Sequence, residues 1–157
     1  MYLMTMTLRI LQIASAQFDS ALSLLQRFFI EEGFDAPPEQ IRANLTEFFA
    51  HNDYSVFLAY LNDQPVGIAT VSTSISVELG RMAEIDDLYV LPEARGQGVA
   101  KALITKVIEW CQSQGRAYIQ VAITPAGEAA HGLQKFYKQL GFIDTQRALF
   151  AHLTTNP

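Results

Sequence analysis

One cysteine among 157 residues rules out an internal disulfide and suits a reducing compartment, so the cytoplasm is expected. Lys and Arg number 11 against 16 Asp and Glu, a formal charge of −5. No basic run occurs, which argues against a nucleic-acid partner, because that affinity rests on clustered phosphate contacts. No apolar stretch is long enough for a membrane span. Met1 to Leu8 lacks the basic and apolar regions of a signal peptide. Met4 and Met6 are alternative starts. The three histidines, His51, His131 and His152, stand at no metal-ligand spacing, and no metal is expected. Repeats, linkers and low-complexity segments are also missing. What is present is a chain with half its residues hydrophobic. One domain over residues 1–157 is expected, large enough to fold without staples.

The hydrophobic pattern predicts the order β-α-α-β-β-β-α-β-α-β. Leu8 to Ile13 reads as a strand. A helix capped by Ser15 follows, with Phe18, Leu22, Leu25 and Phe29 on one face and Gly33 at its end. Pro37-Pro38-Glu39 opens a second helix with Ile41, Leu45, Phe48 and Phe49 facing inward. Tyr54 to Leu61 and Val66 to Ser74 form a hairpin around Asn62-Asp63-Gln64-Pro65, and Ser72 to Leu79 reads as a strand end and loop. Ala83 to Leu91 is the central strand. A helix from about Gln97 to Gln114 and a strand at Tyr118 to Ile123 come next. A helix over Glu128 to Leu140, ended by Gly141, and a last strand at Ala148 to Leu153 complete the chain. Antiparallel hairpin strands followed by a crossover helix imply a mixed α/β sheet with helices on both faces. Cys111 falls on the apolar stripe of its helix, which makes it a buried, inert thiol.

The most informative segment runs from Leu88 to Ala100. Leu88, Tyr89, Val90 and Leu91 make a continuous apolar strand, and Pro92 ends it. Gly96 and Gly98 let the backbone turn and come close to a ligand. Val99, Leu103, Ile104, Val107, Ile108 and Cys111 then recur at helical spacing. A helix beginning on a glycine turn aims free N–H groups and the positive end of its dipole at an anion, and Arg95 adds a charged donor. A P-loop would need Gly-Lys-Ser/Thr, but Gly98-Val99-Ala100-Lys101-Ala102 stands there. A dinucleotide fingerprint would need glycine where Lys101 stands, and an acid further on that Arg116 to Gln120 does not offer. The third pattern is Arg/Gln-x-x-Gly-x-Gly/Ala, present as Arg95-Gly96-Gln97-Gly98-Val99-Ala100.

That hexapeptide resembles the coenzyme A pyrophosphate loop of the GCN5-related N-acetyltransferase (GNAT) superfamily. Phe136-Tyr137-Lys138-Gln139-Leu140-Gly141-Phe142 resembles a second motif of the same superfamily. The resemblance is strong from Ala83 to Phe142 and weak in the first half. It implies the acyl-CoA N-acyltransferase fold, a central mixed sheet flanked by helices on both faces. It also implies acetyl-CoA as co-substrate and direct transfer of the acetyl group to a primary amine of a small molecule in a ternary complex. Many relatives are homodimers, but no segment here specifies an interface. The alternatives are a coenzyme A-binding sensor of the same fold without turnover, and a nucleotide-binding module of another class.

The resemblance also implies residue roles. Leu88, Tyr89 and Val90 border the pantetheine arm, with the Val90 N–H bonding the thioester oxygen. Arg95, Gly96, Gln97, Gly98, Val99, Ala100 and Lys101 cradle the pyrophosphate. Phe136 lines the coenzyme, and Tyr137 protonates the leaving thiolate. Leu133, Phe136, Tyr137 and Leu140 also form an ordinary core stripe, but a buried tyrosine needs a reason for its hydroxyl. The asparagine that relatives place before the Phe-Tyr pair is replaced by Ala130, and His131 nearby reads as solvent-facing.

The direct mechanism needs a base. Glu84, Asp86 and Asp87 are the candidates, and Glu84, six residues before Val90, matches the glutamate of some small-molecule acetyltransferases. Strand alternation puts Glu84, Asp86, Leu88 and Val90 on one face and Asp87 on the other. A bulge near Leu88 to Val90 would splay this strand from its neighbour at Tyr118 to Ile123. The superfamily's acceptor site commonly borders the first helix-loop-helix, where Glu31, Glu32, Asp35 and Glu39 cluster and would attract a cationic amine.

Overall fold

A computed structural model describes residues 5–155; part of the Met1 to Leu8 segment discussed above therefore lies outside it. The described residues fall into two compact units, one ending at Ala122 and the other beginning at Ile123.

The first unit holds β1 (Leu8–Gln12), α1 (Phe18–Glu32), α2 (Pro38–Ala50), β2 (Tyr54–Leu61), β3 (Gln64–Ser76), β4 (Gly80–Val90), α3 (Val99–Ser113) and β5 (Tyr118–Val121). Its sheet has the order β1-β2-β3-β4-β5. The first four strands pair antiparallel, and β4 pairs parallel with β5 across the α3 crossover. The β2–β3 turn places Asn62 and Asp63 at φ 50° and 63°, the left-handed pair that matches hairpin twist. The β3–β4 hairpin is longer than the polar Ser72 to Leu79 stretch suggests. The ladder continues to Ser76↔Gly80, because cross-strand pairing compensates for weak strand propensity.

Two apolar layers cover the sheet. Ala21, Leu22, Leu24 and Leu25 of α1 and Ile41 and Leu45 of α2 pack on Val56, Leu58, Ile68 and Tyr89. The residues that alternate with these point to the other face. There Val99, Leu103, Ile104, Val107 and Cys111 of α3 are buried, and Trp110 meets Phe57 edge-on at 5.7 Å. Gly67 allows the close approach of α3: a Cβ there would lie 3.1 Å from both Leu103 Cδ1 and Val99 Cγ1. Burial pushes the Cys111 thiol up to about 11, as an inert core cysteine requires. Among the described residues no helix is long and apolar enough to cross a membrane.

Helix α1 ends as expected. Gly33 adopts φ 71°, with its N–H on Ile30 O and that of Phe34 on Phe29 O. Its start differs. Ser15 makes no capping bond and opens a short 3-10 turn, and the Ala14 N–H is satisfied by the Gln17 side-chain oxygen instead.

The second unit corrects two expectations. The single helix read over Glu128 to Leu140 is two, α4 (Pro125–His131) and α5 (Leu133–Gln139). Gly132 breaks it at φ 59°, and the Glu128 carboxylate accepts the Gln134 N–H at 2.7 Å, capping α5 across the break. The strand read at Ala148 to Leu153 does not form. This segment carries no secondary structure, and Leu149, Phe150 and Leu153 are exposed. Strand-like composition needs a ladder partner to become a strand, and none pairs with it among the described residues.

Candidate active site

Strand β4 carries the site of the first unit. Thr70 of β3 opposes Asp87 and its neighbour Val71 opposes Ile85, so Asp86 is the extra residue of a β-bulge. The bulge thus falls at Asp86, not at Leu88 to Val90, and it reverses the face assignment. Successive residues Thr70 and Val71 point to opposite faces, so Ile85 and Asp87 do too. Glu84, opposite Ser72, therefore shares its face with Asp87 and Tyr89, on the α1–α2 side. Period-two counting puts Asp87 on the other side because it does not include the inserted residue.

The three acids are brought together but held differently. Gln120 Nε2 donates to Glu84 at 3.0 Å. Thr70 Oγ1 donates to Asp87, whose carboxyl burial pushes upward in pKa. Ser72 Oγ donates to Asp86 at 3.2 Å. The Asp86 residue is exposed as a whole, but its carboxyl is crowded. Desolvation first, then the negative charges of Asp87 and Glu84, push it up to about 6 against the Ser72 hydrogen bond.

The ladder to β5 ends at Ile85↔Val121, while β4 continues to Val90. The Leu91 N–H bonds back to Val66 O at 2.8 Å. By the alternation of an antiparallel ladder, the N–H and C=O of Val90 point away from β3. The carbonyl is taken by Arg95 Nε at 3.0 Å. Leu88 is half-buried, and Tyr89 and Val90 are buried.

After Val90 the chain makes a 3-10 turn at Pro92–Ala94 and then the glycine turn. Gly96 and Gly98 have φ 77° and 80°, conformations in which a side chain is strained. Gly98 is the N-cap of α3, with no side-chain cap and no acid in the first turn. The first helical bond runs from the Ala102 N–H to Gly98 O. The N–H groups of Val99, Ala100 and Lys101 therefore have no intrahelical acceptor. Val99 is buried, Ala100 half-buried, and Gln97 and Lys101 exposed. A shallow groove of about 440 Å³ runs from Gly98 and Lys101 along Thr105, Lys106 and Glu109 to Ile10. A set of outward N–H groups, a helix dipole and two nearby lysines fits a phosphate.

Arg95 is placed differently from the sequence reading. Its Nη2 donates to Glu31 Oε1 at 2.6 Å, and Glu31 Oε2 accepts the Tyr89 hydroxyl at 2.7 Å. The guanidinium also lies over the Tyr89 ring, 5.7 Å from its centre. Burial and the Glu31 hydrogen bond push the Tyr89 phenol up to about 12. Glu31, read as an acceptor-side charge, is thus bonded to β4 and the loop. The only sequence signal for this was an acid near the end of α1. Thr70, Ser72 and Gln120 were missed, and polar residues on a buried strand face were the signal for them.

The second unit holds the aromatic motif. Tyr137 on α5 is buried against Phe136 and Phe142, with ring centres 5.0 and 5.1 Å away. Burial pushes its phenol upward, so it keeps its proton at neutral pH. The Phe142 N–H closes on Tyr137 O across Gly141, the expected glycine cap. His131 is exposed at the end of α4. Among the described residues no cluster of His, Cys, Asp and Glu is arranged to hold a metal.

Comparison with known proteins agrees with this architecture. An aminoglycoside N(6')-acetyltransferase of Serratia marcescens is 30% identical over 122 residues, 74% of this chain and 82% of that protein. An uncharacterized N-acetyltransferase of Methanocaldococcus jannaschii is 34% identical over 88 residues, 55% of this chain and 38% of that one. A bovine thialysine N-epsilon-acetyltransferase is 35% identical over 53% of this chain and 47% of its own length. The chain thus spans less than half of the last two. The fold matches that of the aminoglycoside N-acetyltransferase AAC(6')-Iy, solved with CoA, with a TM-score of 0.81 at 21% identity, covering 99% of this chain and all of that one. The family model described as the acetyltransferase (GNAT) family matches residues 18–142, and the chain belongs to that family of N-acetyltransferases.

Proposed function

We propose that the chain transfers the acetyl group of acetyl-CoA to a primary amine of a small molecule by direct attack. The observation that carries this reading is the α3 N-terminus: three outward N–H groups with no capping side chain, one short turn after a strand whose ladder with β5 ends at Ile85. That arrangement fits a pyrophosphate with an extended arm leading along β4. Gly96, Gln97, Gly98, Val99, Ala100 and Lys101 would hold the phosphates, and Leu88, Tyr89 and Val90 the arm. Acetyl-CoA, when bound, supplies an activated thioester.

The chain's own groups supply the rest. The Val90 N–H, aimed away from β3, is the donor for the thioester oxygen. Asp86 takes the proton of the attacking amine, directly or through a water, because its crowded carboxyl has the basicity for that step near neutral pH. Glu84, held by Gln120, adds negative charge that draws a cationic amine. Tyr137 takes the proton-donor role on the strength of the family motif and of its retained proton, and Phe136 lines the coenzyme. An amine acceptor accords with the named relatives, which include aminoglycoside and thialysine N-acetyltransferases. The proposed enzyme acts in the cytoplasm, without a metal, nucleic-acid or membrane partner.

The test is thiol release from acetyl-CoA across a panel of polyamines, aminoglycosides, amino-acid derivatives and acidic controls. The buried Cys111 thiol does not contribute to that signal. Turnover with cationic amines is expected. Binding of acetyl-CoA without turnover of any amine, or turnover of acidic acceptors alone, would refute the proposal.

A further inference from the structure

We infer that Glu31 is a positioning residue that sets the coenzyme loop through Arg95, an inference that rests on the proposed acetyl-CoA site. Its carboxylate joins α1 to both the end of β4 and the start of the glycine turn. One oxygen accepts from the Tyr89 hydroxyl at 2.7 Å and the other from Arg95 Nη2 at 2.6 Å. Arg95 in turn spends its Nε on Val90 O at 3.0 Å. The residues on either side of the Val90 N–H are thereby tied to a single carboxylate: Tyr89 through its side chain, and the 90–91 peptide through Arg95.

The ties are stiff. Tyr89 is buried and its ring stacks on Phe28 at 5.2 Å. Arg95 and Glu31 are exposed as whole residues, with about a third of each side chain open to water, and their 2.6 Å bond is of the short, charge-assisted kind. The other ties here are the exposed Arg27–Glu93 pair at 3.4 Å and two turn bonds, Ala94 N–H to Leu91 O and Arg95 N–H to Pro92 O, all of which precede Gly96. Gly96 and Gly98 have the freest backbones available, and α3 has no side-chain cap. The path from Val90 to the outward N–H groups runs through Arg95, so the Glu31–Arg95–Val90 chain of bonds helps to set it. Arg95 serves here as a strut from α1, not as a donor to the pyrophosphate.

The two roles of Arg95 predict opposite behaviour of Glu31. If Arg95 bound the pyrophosphate directly, removing Glu31 would free the guanidinium and leave affinity unchanged or tighter. If Arg95 is a strut, removing either partner disorders the same loop. Acetyl-CoA titration calorimetry on the full chain separates them. Glu31→Ala and Arg95→Ala both remove the Glu31–Arg95 bond and should each weaken binding about tenfold. The double variant should be no weaker than either single one, because both break one chain of contacts. Glu31→Gln, which keeps the shape but removes the negative charge that Arg95 faces, should weaken binding by a smaller factor and carries the test if Glu31→Ala does not fold.

A readout in the free protein completes the experiment. Amide hydrogen exchange from Leu91 to Lys101 should accelerate in Glu31→Ala and Glu31→Gln, while the α2 amides keep their protection. KM for acetyl-CoA should rise with KM for the amine unchanged. Wild-type or tighter affinity in both Glu31 variants, or single losses that multiply in the double variant, would overturn the inference. A wild-type protein that does not bind acetyl-CoA at all would overturn the site itself, and that result is visible before any variant is compared.

Discussion

Gly98 gives the sharpest test of the anion site, because its cost to folding can be matched elsewhere on the same helix. Gly98 has φ 80° at the start of α3, and Gly115 has φ 66° just beyond its end. A Cβ meets nothing within 4 Å at either position. Alanine at each therefore pays the left-handed backbone cost alone, about 1–2 kcal/mol, which lowers Tm by roughly 2–8 °C in a chain of this length. The helix between them has 15 residues, about 22 Å of separation. Only Gly98 adjoins the N–H groups of Val99, Ala100 and Lys101, which have no intrahelical acceptor. Losing one charge-assisted contact there costs about 1.5–3 kcal/mol, more than about tenfold in Kd. Differential scanning calorimetry should find similar Tm losses for Gly98→Ala and Gly115→Ala. Acetyl-CoA titration should find the affinity loss in Gly98→Ala alone, and a larger one in Gly98→Val. Wild-type affinity in a folded Gly98→Val protein would refute the assignment of the loop.

Three further outcomes are expected. The Asp86 carboxyl is raised to about 6 and a base must be ionised to act, so kcat/KM for the amine should climb through that pH; Asp86→Asn should abolish that limb and lower kcat by about 10²–10⁴-fold, and a limb unchanged in the variant would move the base elsewhere. Tyr137→Phe keeps the packing against Phe136 and Phe142 and removes the proton; kcat should fall by about 10²–10⁴-fold with acetyl-CoA affinity intact, and wild-type turnover would leave Tyr137 a core residue only. Gly67→Ala sets a Cβ 3.2 Å from the Tyr89 carbonyl as well as against Leu103 and Val99; the overpacking should cost about 1–3 kcal/mol, measured by urea unfolding, and an unchanged midpoint would mean that α3 moves freely from the sheet.

Local signals in the sequence were enough for several elements. The α1 stop at Gly33, the Asn62-Asp63 hairpin, the apolar stripe of α3 and the Gly96-Gln97-Gly98 turn each rest on φ preferences or on a period, properties carried by a few adjacent residues. The same is true of the Phe142 cap over Tyr137. The uncapped start of α3, proposed above to bind phosphate, was legible because Gly98, a first turn free of acids and the helix direction all lie in one short segment.

What the sequence did not reveal depends on partners far away in the chain. The inserted residue at Asp86 exists only in the pairing of β4 with Thr70 and Val71, and it alone moves Asp87 to the face of Glu84. The break at Gly132 needs the Glu128 carboxylate to cap α5, while the apolar period runs on through it. The Ala148 to Leu153 segment has the composition of a strand, but a ladder requires a second chain segment beside it. The Glu31–Arg95 bond spans 64 positions, and no spacing rule reaches that far. Periodicity and turn chemistry are local energies, readable from neighbours along the chain. Register, bulges, salt bridges and carboxyl basicity arise where distant segments meet, so only the tertiary structure decided them.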